Sequence, residues 1–331
     1  MNGAVSQLKP RATPTALVTR PNERKACAVS RIIPVPRRPL STASMMTWSM
    51  RLVWATLPFS VGPALARVFS ASSRAVQLVG TSGLWLGWIV VLTALLVPTT
   101  ASLTIIRLVV PGCVVAVVAA ARHHAGGVDL ALAFAASLIA VALAFSAEVG
   151  ATFVQGSAYG DETRFPLRPP GPLVIGPLPL SWALTFGAVV SGPLLLAARS
   201  WVLGAILSVI GVGLSVPFGR RCHRLVRRFL VVVPAGIVVH DHFVLADTSM
   251  FRKSDVASLR LAPATTEAAD LTGKALGNAV EIALNEFETV VMAGTLKNPG
   301  GTALHARSVL VSPSRPGRFL AEVERRGHRV L

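Results

Sequence analysis

Five arginines in nine residues, Arg220, Arg221, Arg224, Arg227 and Arg228, are the densest group of chemistry-bearing side chains in this chain. On a helix turning about 100° per residue they fall within an arc of roughly 120°, with Cys222, Leu225 and Val226 on the other side. Guanidiniums so arranged suit anionic lipid or an acidic partner, and each basic residue near an anionic membrane is worth about 1 kcal/mol. The string also abuts an apolar block, and as such it reads first as a stop-transfer and orientation signal. A second group, Asp161, Glu162, Arg164 and Arg168, gathers beside the rigid run Pro169-Pro170-Gly171-Pro172 and offers acid–base or substrate-binding chemistry. A third, Arg107 and Glu148, places charge inside apolar blocks, where ionisable groups mark ion or proton pathways by default. Both lie near block ends, where snorkelling to the surface explains them at little cost.

Other constellations stop short of a site. His240 and His242 share one face of a strand and Asp247 follows, but two imidazoles are too few for a tetrahedral metal site, and Asp241 points the other way. His123-His124 has no second cluster nearby. Cys27, Cys113 and Cys222 are scattered, without a disulfide framework or zinc spacing. No nucleophile elbow and no phosphate-cradling glycine loop occurs. The expectation is a protein with no metal, no cofactor and no catalytic residues.

The elements that must carry these groups are membrane helices. Of 331 residues 52% are hydrophobic and 14% charged, against about 25% charged in soluble domains, and the mean hydropathy is +0.61. Strong apolar blocks cover roughly 84–100, 102–121, 130–149, 174–198 and 201–217. A weaker one, 52–70, is interrupted by Pro58, Pro63 and Arg67 and falls short of the roughly 20 residues that span a bilayer. The last block, about 17 residues, is expected to thin the bilayer locally. Small residues form stripes at Ala133, Ser137, Ala140, Ala144 and Ala147 and at Gly204, Ser208, Gly211 and Ser215, which predict close helix–helix seams within one chain or between copies.

The net charge of +17 is concentrated in the flanks. Residues 1–51 hold nine Lys/Arg against one acid, and residues 218–331 hold sixteen against ten. Anionic lipid is the expected partner; nucleic acid is not, because the charge flanks spans and no aromatic–basic interleaving accompanies it. Residues 1–44 are rich in Pro, Ser, Thr and Arg and read as disordered, giving a basic tail over 1–50. The cluster Met45, Met46 and Met50 marks the expected natural start, with 1–44 as an upstream extension. Five spans put the two basic flanks on opposite sides, whereas the charge rule wants both inside; a sixth span at 52–70 removes the conflict. Arg220–Arg228 sets the orientation, with the C-terminal part and loop 150–172 cytoplasmic.

After Arg228 the pattern becomes strand-like. Phe229–Val233 and Ile237–His240 flank Pro234-Ala235-Gly236, five further β-rich stretches follow, and Ser312-Pro313-Ser314 opens a terminal helix carrying Phe319, Leu320 and Val323. About seven short strands closed by one helix on a membrane stem resembles the bacterial pleckstrin-homology-like (PH-like) domain. The resemblance is carried by Arg228–Val239 and by the Ser312–Arg325 helix entry, and the whole looks like a recurrent class of actinobacterial multi-pass membrane proteins. It implies an α-helical bundle (51–217), a basic stem (218–228) and a mostly-β PH-like domain (229–331). Phosphoinositide binding does not transfer with it, since the loop after the first strand is only Pro-Ala-Gly. The expected role is cell-membrane docking or assembly through a cytoplasmic β-domain. The alternative is a small transporter or membrane enzyme using loop 150–172.

Overall fold

The computed structural model describes residues 42–123, 127–294 and 300–331; the basic tail before Thr42 lies outside them. Helix α1, Thr42–Ser70, overturns the reading of 52–70 as too short. It starts ten residues earlier than the apolar count allowed and reaches about 44 Å at 1.5 Å per residue, with Pro58 and Pro63 inside it. Residues 42–50 are therefore helix and not tail. Met50, Trp54, Leu57, Val61, Ala64 and Leu65 make its buried stripe. Helix α2, Arg74–Leu96, begins ten residues before the expected block because Ser73 caps it, accepting from the Val76 amide. The two helices are cross-tied: the Trp54 indole donates to Trp88 O at 3.0 Å and the Trp88 indole to Trp54 O at 2.9 Å.

The next span runs from Thr100 to Arg122 as α3, Thr100–Val109, and α4, Pro111–His123; Pro111, lacking an N–H, accounts for the joint. The expected block 130–149 is broken. Helix α5, Val128–Ala144, stops, Ser146 caps a new helix α6, Ala147–Gln155, and the pair bends by 50°. A short α7, Gly171–Ile175, precedes the hairpin of α8, Pro177–Ala197, and α9, Trp201–Val226. Arg199, at φ +63°, closes that hairpin. Five helices are long and apolar enough to cross a membrane, and α5–α6 makes a sixth if the bent pair counts as one. Helix α9 continues through the stem to Val226 and is 26 residues long, its apolar part followed by Arg220, Arg221 and Arg224 on the same helix.

The helices alternate between two ends. At one, Thr152 reaches Ala43 O and Thr104 meets His223. At the other, Arg67 pairs with Asp129 at 2.9 Å. The start of α1 and the end of α9 thus share an end, as the charge rule required. Both small-residue stripes pack within the chain. Ala133, Ser137, Ala140 and Ala144 are fully buried, whereas Ala147 lies beyond the break. A Cβ on Gly204 or Gly211 would press on the α8 backbone at Leu196 or at Ala188 and Val189. Ser215, by contrast, is exposed.

Two four-stranded sheets follow. The first has order β1-β2-β3-β4, all antiparallel, with β1 Thr163–Pro166, β2 Phe229–Val233, β3 Gly236–His240 and β4 Ser249–Arg252. The second has order β5-β7-β8-β6, with β5 Val256–Leu261, β6 Ala269–Asp270, β7 Val280–Met292 and β8 Thr302–Val311. Helix α10, Pro316–Arg325, buries Phe319 and Val323. Strand β1 comes from loop 150–172, which is therefore part of the β-domain's first sheet. Strand β2 is buried on both faces: Leu230 and Val232 enter the domain core, while Phe229 and Val231 join the core of the helical bundle. The unbroken apolar run Phe-Leu-Val-Val-Val answers to that double burial.

Candidate functional site

The basic string divides at the end of α9. Arg220, Arg221 and Arg224 lie exposed on the helix and Arg227 caps it, also exposed. None of the four meets a carboxylate among the described residues. Arg228 is a correction to the helical arc. The chain leaves the helix at Arg227, so residue 228 obeys strand geometry, and its side chain is 1% exposed. It donates to both Asp241 oxygens at 2.8 and 2.7 Å, to Arg168 O at 2.8 Å and to Thr272 O at 3.3 Å. Asp241 points away from His240 and His242 as expected, and its destination is this buried fork.

The loop candidates are brought together, but as fastenings. Glu162 accepts from Arg164 at 2.9 and 2.6 Å and from the Tyr159 amide. Arg168 donates to Leu276 O and Asn278 O. Asp161 faces Arg326, a residue sequence reasoning passed over, which also bonds Thr163 and Glu322. Arg325, then Arg326 and Thr163, hold the Glu322 carboxyl down to about 2 against partial burial, which opposes them. The i, i+3 and i, i+4 spacing of Glu322 to Arg325 and Arg326 was the available signal.

Arg107 and Glu148 both sit at the α5–α6 break, yet they do not pair. Arg107 donates to Ala144 O at 3.3 Å and lies over the Phe145 ring, capping the end of α5. Glu148, in the first turn of α6 where a helix favours negative charge, is buried and paired with Arg315 at the entry to α10. Of the two intramembrane candidates, Glu148 is therefore half of a brace between the broken span and the β-domain, and Arg107 is a helix cap.

His240 and His242 meet edge to face, 4.4 Å between ring centroids, while Asp247 turns to the Thr248 amide. Among the described residues no three potential ligands converge on a metal position. His124 lies outside the described residues, as does the side chain of His123.

Where bundle and β-domain meet, a cavity of about 490 Å³ opens. Its floor is Phe229, Val231 and Val238, from the outer face of the first sheet. Arg227 and His223 line it from α9, Arg164 from β1, His240 from β3 and Thr100 from the first turn of α3. The Arg164 guanidinium lies 5.0 Å from the Phe229 ring centre, and His240 stacks on that ring at 4.7 Å. Partial burial, then the positive charge of His242, Arg227 and Arg164, holds the His240 imidazole below its ordinary 6.5, with Asp241 pulling the other way. His240 Nδ1 meets Thr248 at 3.2 Å, whereas its Nε2 is buried without a partner among the described residues. The cavity is thus electropositive, rich in donors and apolar at its base. A smaller cavity of about 220 Å³ lies beside the free edge of β4, lined by Met250, Glu288 and Val291 among others.

No family model, no curated protein and no solved structure matches this chain.

Proposed function

We propose that this chain is an integral protein of the cell membrane whose cytoplasmic, PH-like β-domain serves as a docking or assembly platform. The observation that carries the reading is how firmly the domain is fixed to the bundle. Loop 150–172 supplies strand β1 to the domain's first sheet, Phe229 and Val231 pack into the bundle core, and Arg315 pairs with Glu148. A domain held in one orientation presents its free edge, β4, and the half-exposed Met250 and Val291 beside it, in a fixed direction relative to the membrane. Unpaired strand edges with apolar neighbours are surfaces on which a partner strand docks.

The PH-like assignment is supported by two sheets closed by one C-terminal helix. The cytoplasmic assignment rests on Arg220, Arg221, Arg224 and Arg227 at the domain end of α9. Anionic lipid facing those four side chains is the expected bilayer partner. The charged side chains of loop 150–172 are engaged in holding the domain, which weighs against the transporter or enzyme reading. Photocrosslinking in cells from a reactive side chain at position 250 tests the proposal. A discrete adduct lost on Val291→Asp is expected; uniform absence of adducts from 250, 289 and 291 in a correctly inserted protein overturns it.

A further inference from the structure

We infer that the junction cavity is a discrete binding site for the phosphate of an anionic phospholipid headgroup. The inference rests on the membrane-embedded reading above but not on the docking role.

Depth is the first argument. Thr100, on the cavity wall, opens the span Thr100–Arg122, and His223 lies five residues after the apolar part of α9 ends at Phe218. A group at that level sits among lipid phosphates, not in the hydrocarbon and not in bulk water. Charge is the second. Arg227 has no carboxylate among the described residues and is the cavity's unpaired cation, whereas Arg164 is already ion-paired with Glu162. Arg220, Arg221 and Arg224 add positive potential along the same helix end. Donor supply is the third. Thr100, His223, His240, Arg164 and Arg227 line one cavity, and the His240 Nε2 has no hydrogen-bond partner among the described residues. Guanidiniums bind phosphate oxygens two at a time, the geometry a headgroup offers. The floor is the fourth. Phe229, Val231 and Val238 present apolar surface where the glycerol and upper acyl chain of a lipid would lie, and a free inorganic anion has no use for it.

The test is native mass spectrometry of the full-length chain in detergent, titrated with phosphatidic acid or phosphatidylglycerol and with phosphatidylcholine as control. Wild type is expected to retain one anionic lipid more tightly than the rest. Arg227→Gln should weaken that lipid by about tenfold, the loss of one charge-assisted contact, and His240→Gln by about fivefold, the loss of a neutral hydrogen bond, while Arg220→Gln, outside the cavity, should change it by no more than about twofold. Thermal unfolding in phosphatidylcholine alone keeps the comparison clean, since both cavity variants should unfold as wild type does there. Equal effects of Arg227→Gln and Arg220→Gln would reduce the cavity to diffuse surface charge and overturn the inference. Displacement of the lipid by equimolar inorganic phosphate would overturn the lipid assignment in favour of a free-phosphate site. A chain that washes out of membranes in carbonate fails at the earlier step.

Discussion

Asp241→Ala is the sharpest perturbation of the β-domain. The Arg228 guanidinium makes four hydrogen bonds, two of them to Asp241, in a place where the arginine is 1% exposed and the carboxylate not at all. Deleting the carboxylate strands a buried cation that keeps only the carbonyls of Arg168 and Thr272. Breaking a buried pair from one side costs about 3–5 kcal/mol; the two surviving carbonyls put this case near the lower figure. For a domain of about 100 residues unfolding as a unit, 3 kcal/mol corresponds to roughly 12–24 °C in Tm. Arg228→Leu should be at least as damaging, because it leaves Asp241 with only the Phe243 amide at 3.1 Å and orphans both carbonyls. The double variant Arg228→Met with Asp241→Leu should recover part of the loss, since no buried charge remains. Thermal unfolding of the full chain in detergent, read through a double-mutant cycle, measures the coupling. The exposed Asp247→Ala is the reference. If Asp241→Ala and Asp247→Ala unfold within a degree of each other, the buried fork is not what holds stem, loop and sheets together.

Gly211→Leu should loosen α8 from α9, since even a Cβ there lies within 3.0 Å of the backbone of Ala188 and Val189; unchanged thermal stability in detergent would contradict the seam. Glu148→Gln removes charge from the brace to Arg315, and limited proteolysis should cut near Arg315 several-fold faster, with Arg318→Gln as a silent control. Stability should fall in two acid windows. His240 and His328 are held below the ordinary 6.5, chiefly by burial, so the unfolded chain takes up protons first and stability present above pH 6.5 declines below it. Glu322, lowered from 4.5 to about 2, contributes stability that is full above pH 4.5 and is lost toward pH 2, about 1 kcal/mol after solvent screening. Glu322→Gln should shrink the second window in a pH-dependent melting series by its own share and leave the first.

Apolar length made most of the bundle legible, because a run such as 201–217 has no stable alternative to a membrane helix. The small-residue stripes pointed correctly to seams. What escaped was whatever depends on distant pairing. Residues 42–51 mix Met and Trp with polar groups, and only packing against α6, where Thr152 bonds Ala43 O, shows that they continue α1. Ser146 and Glu148 carried a cap signature inside an apolar block, but the break they make needs Arg107, from another helix, to cap the end of α5. Strand β1 is four residues long and meets Phe229–Val232 more than 60 positions later, so no local period marks it. Arg228 looked like one more stem arginine because helical spacing was extended one residue past the cap. In the β-domain β2, β3, β5, β8, both halves of the single strand β7 and the final helix were readable from alternation and turns; the expected strand Phe243–Ala246 is instead a turn touching Met292 through Leu245, and the short strands β4 and β6 were missed. The junction cavity was not, since its lining comes from four separate stretches of chain.

The account depends on six passes that return both ends of the helical region, and the β-domain, to one side. Cysteine substitution in a chain lacking its native thiols, labelled in intact cells with a membrane-impermeant maleimide, reads this directly. Ser73→Cys and Ser200→Cys, at the turns remote from the β-domain, should label in intact cells; Tyr159→Cys and Thr265→Cys should label only after the cells are opened. Labelling of Tyr159→Cys together with Ser200→Cys in intact cells would place the two ends of the bundle on the same side and contradict the account.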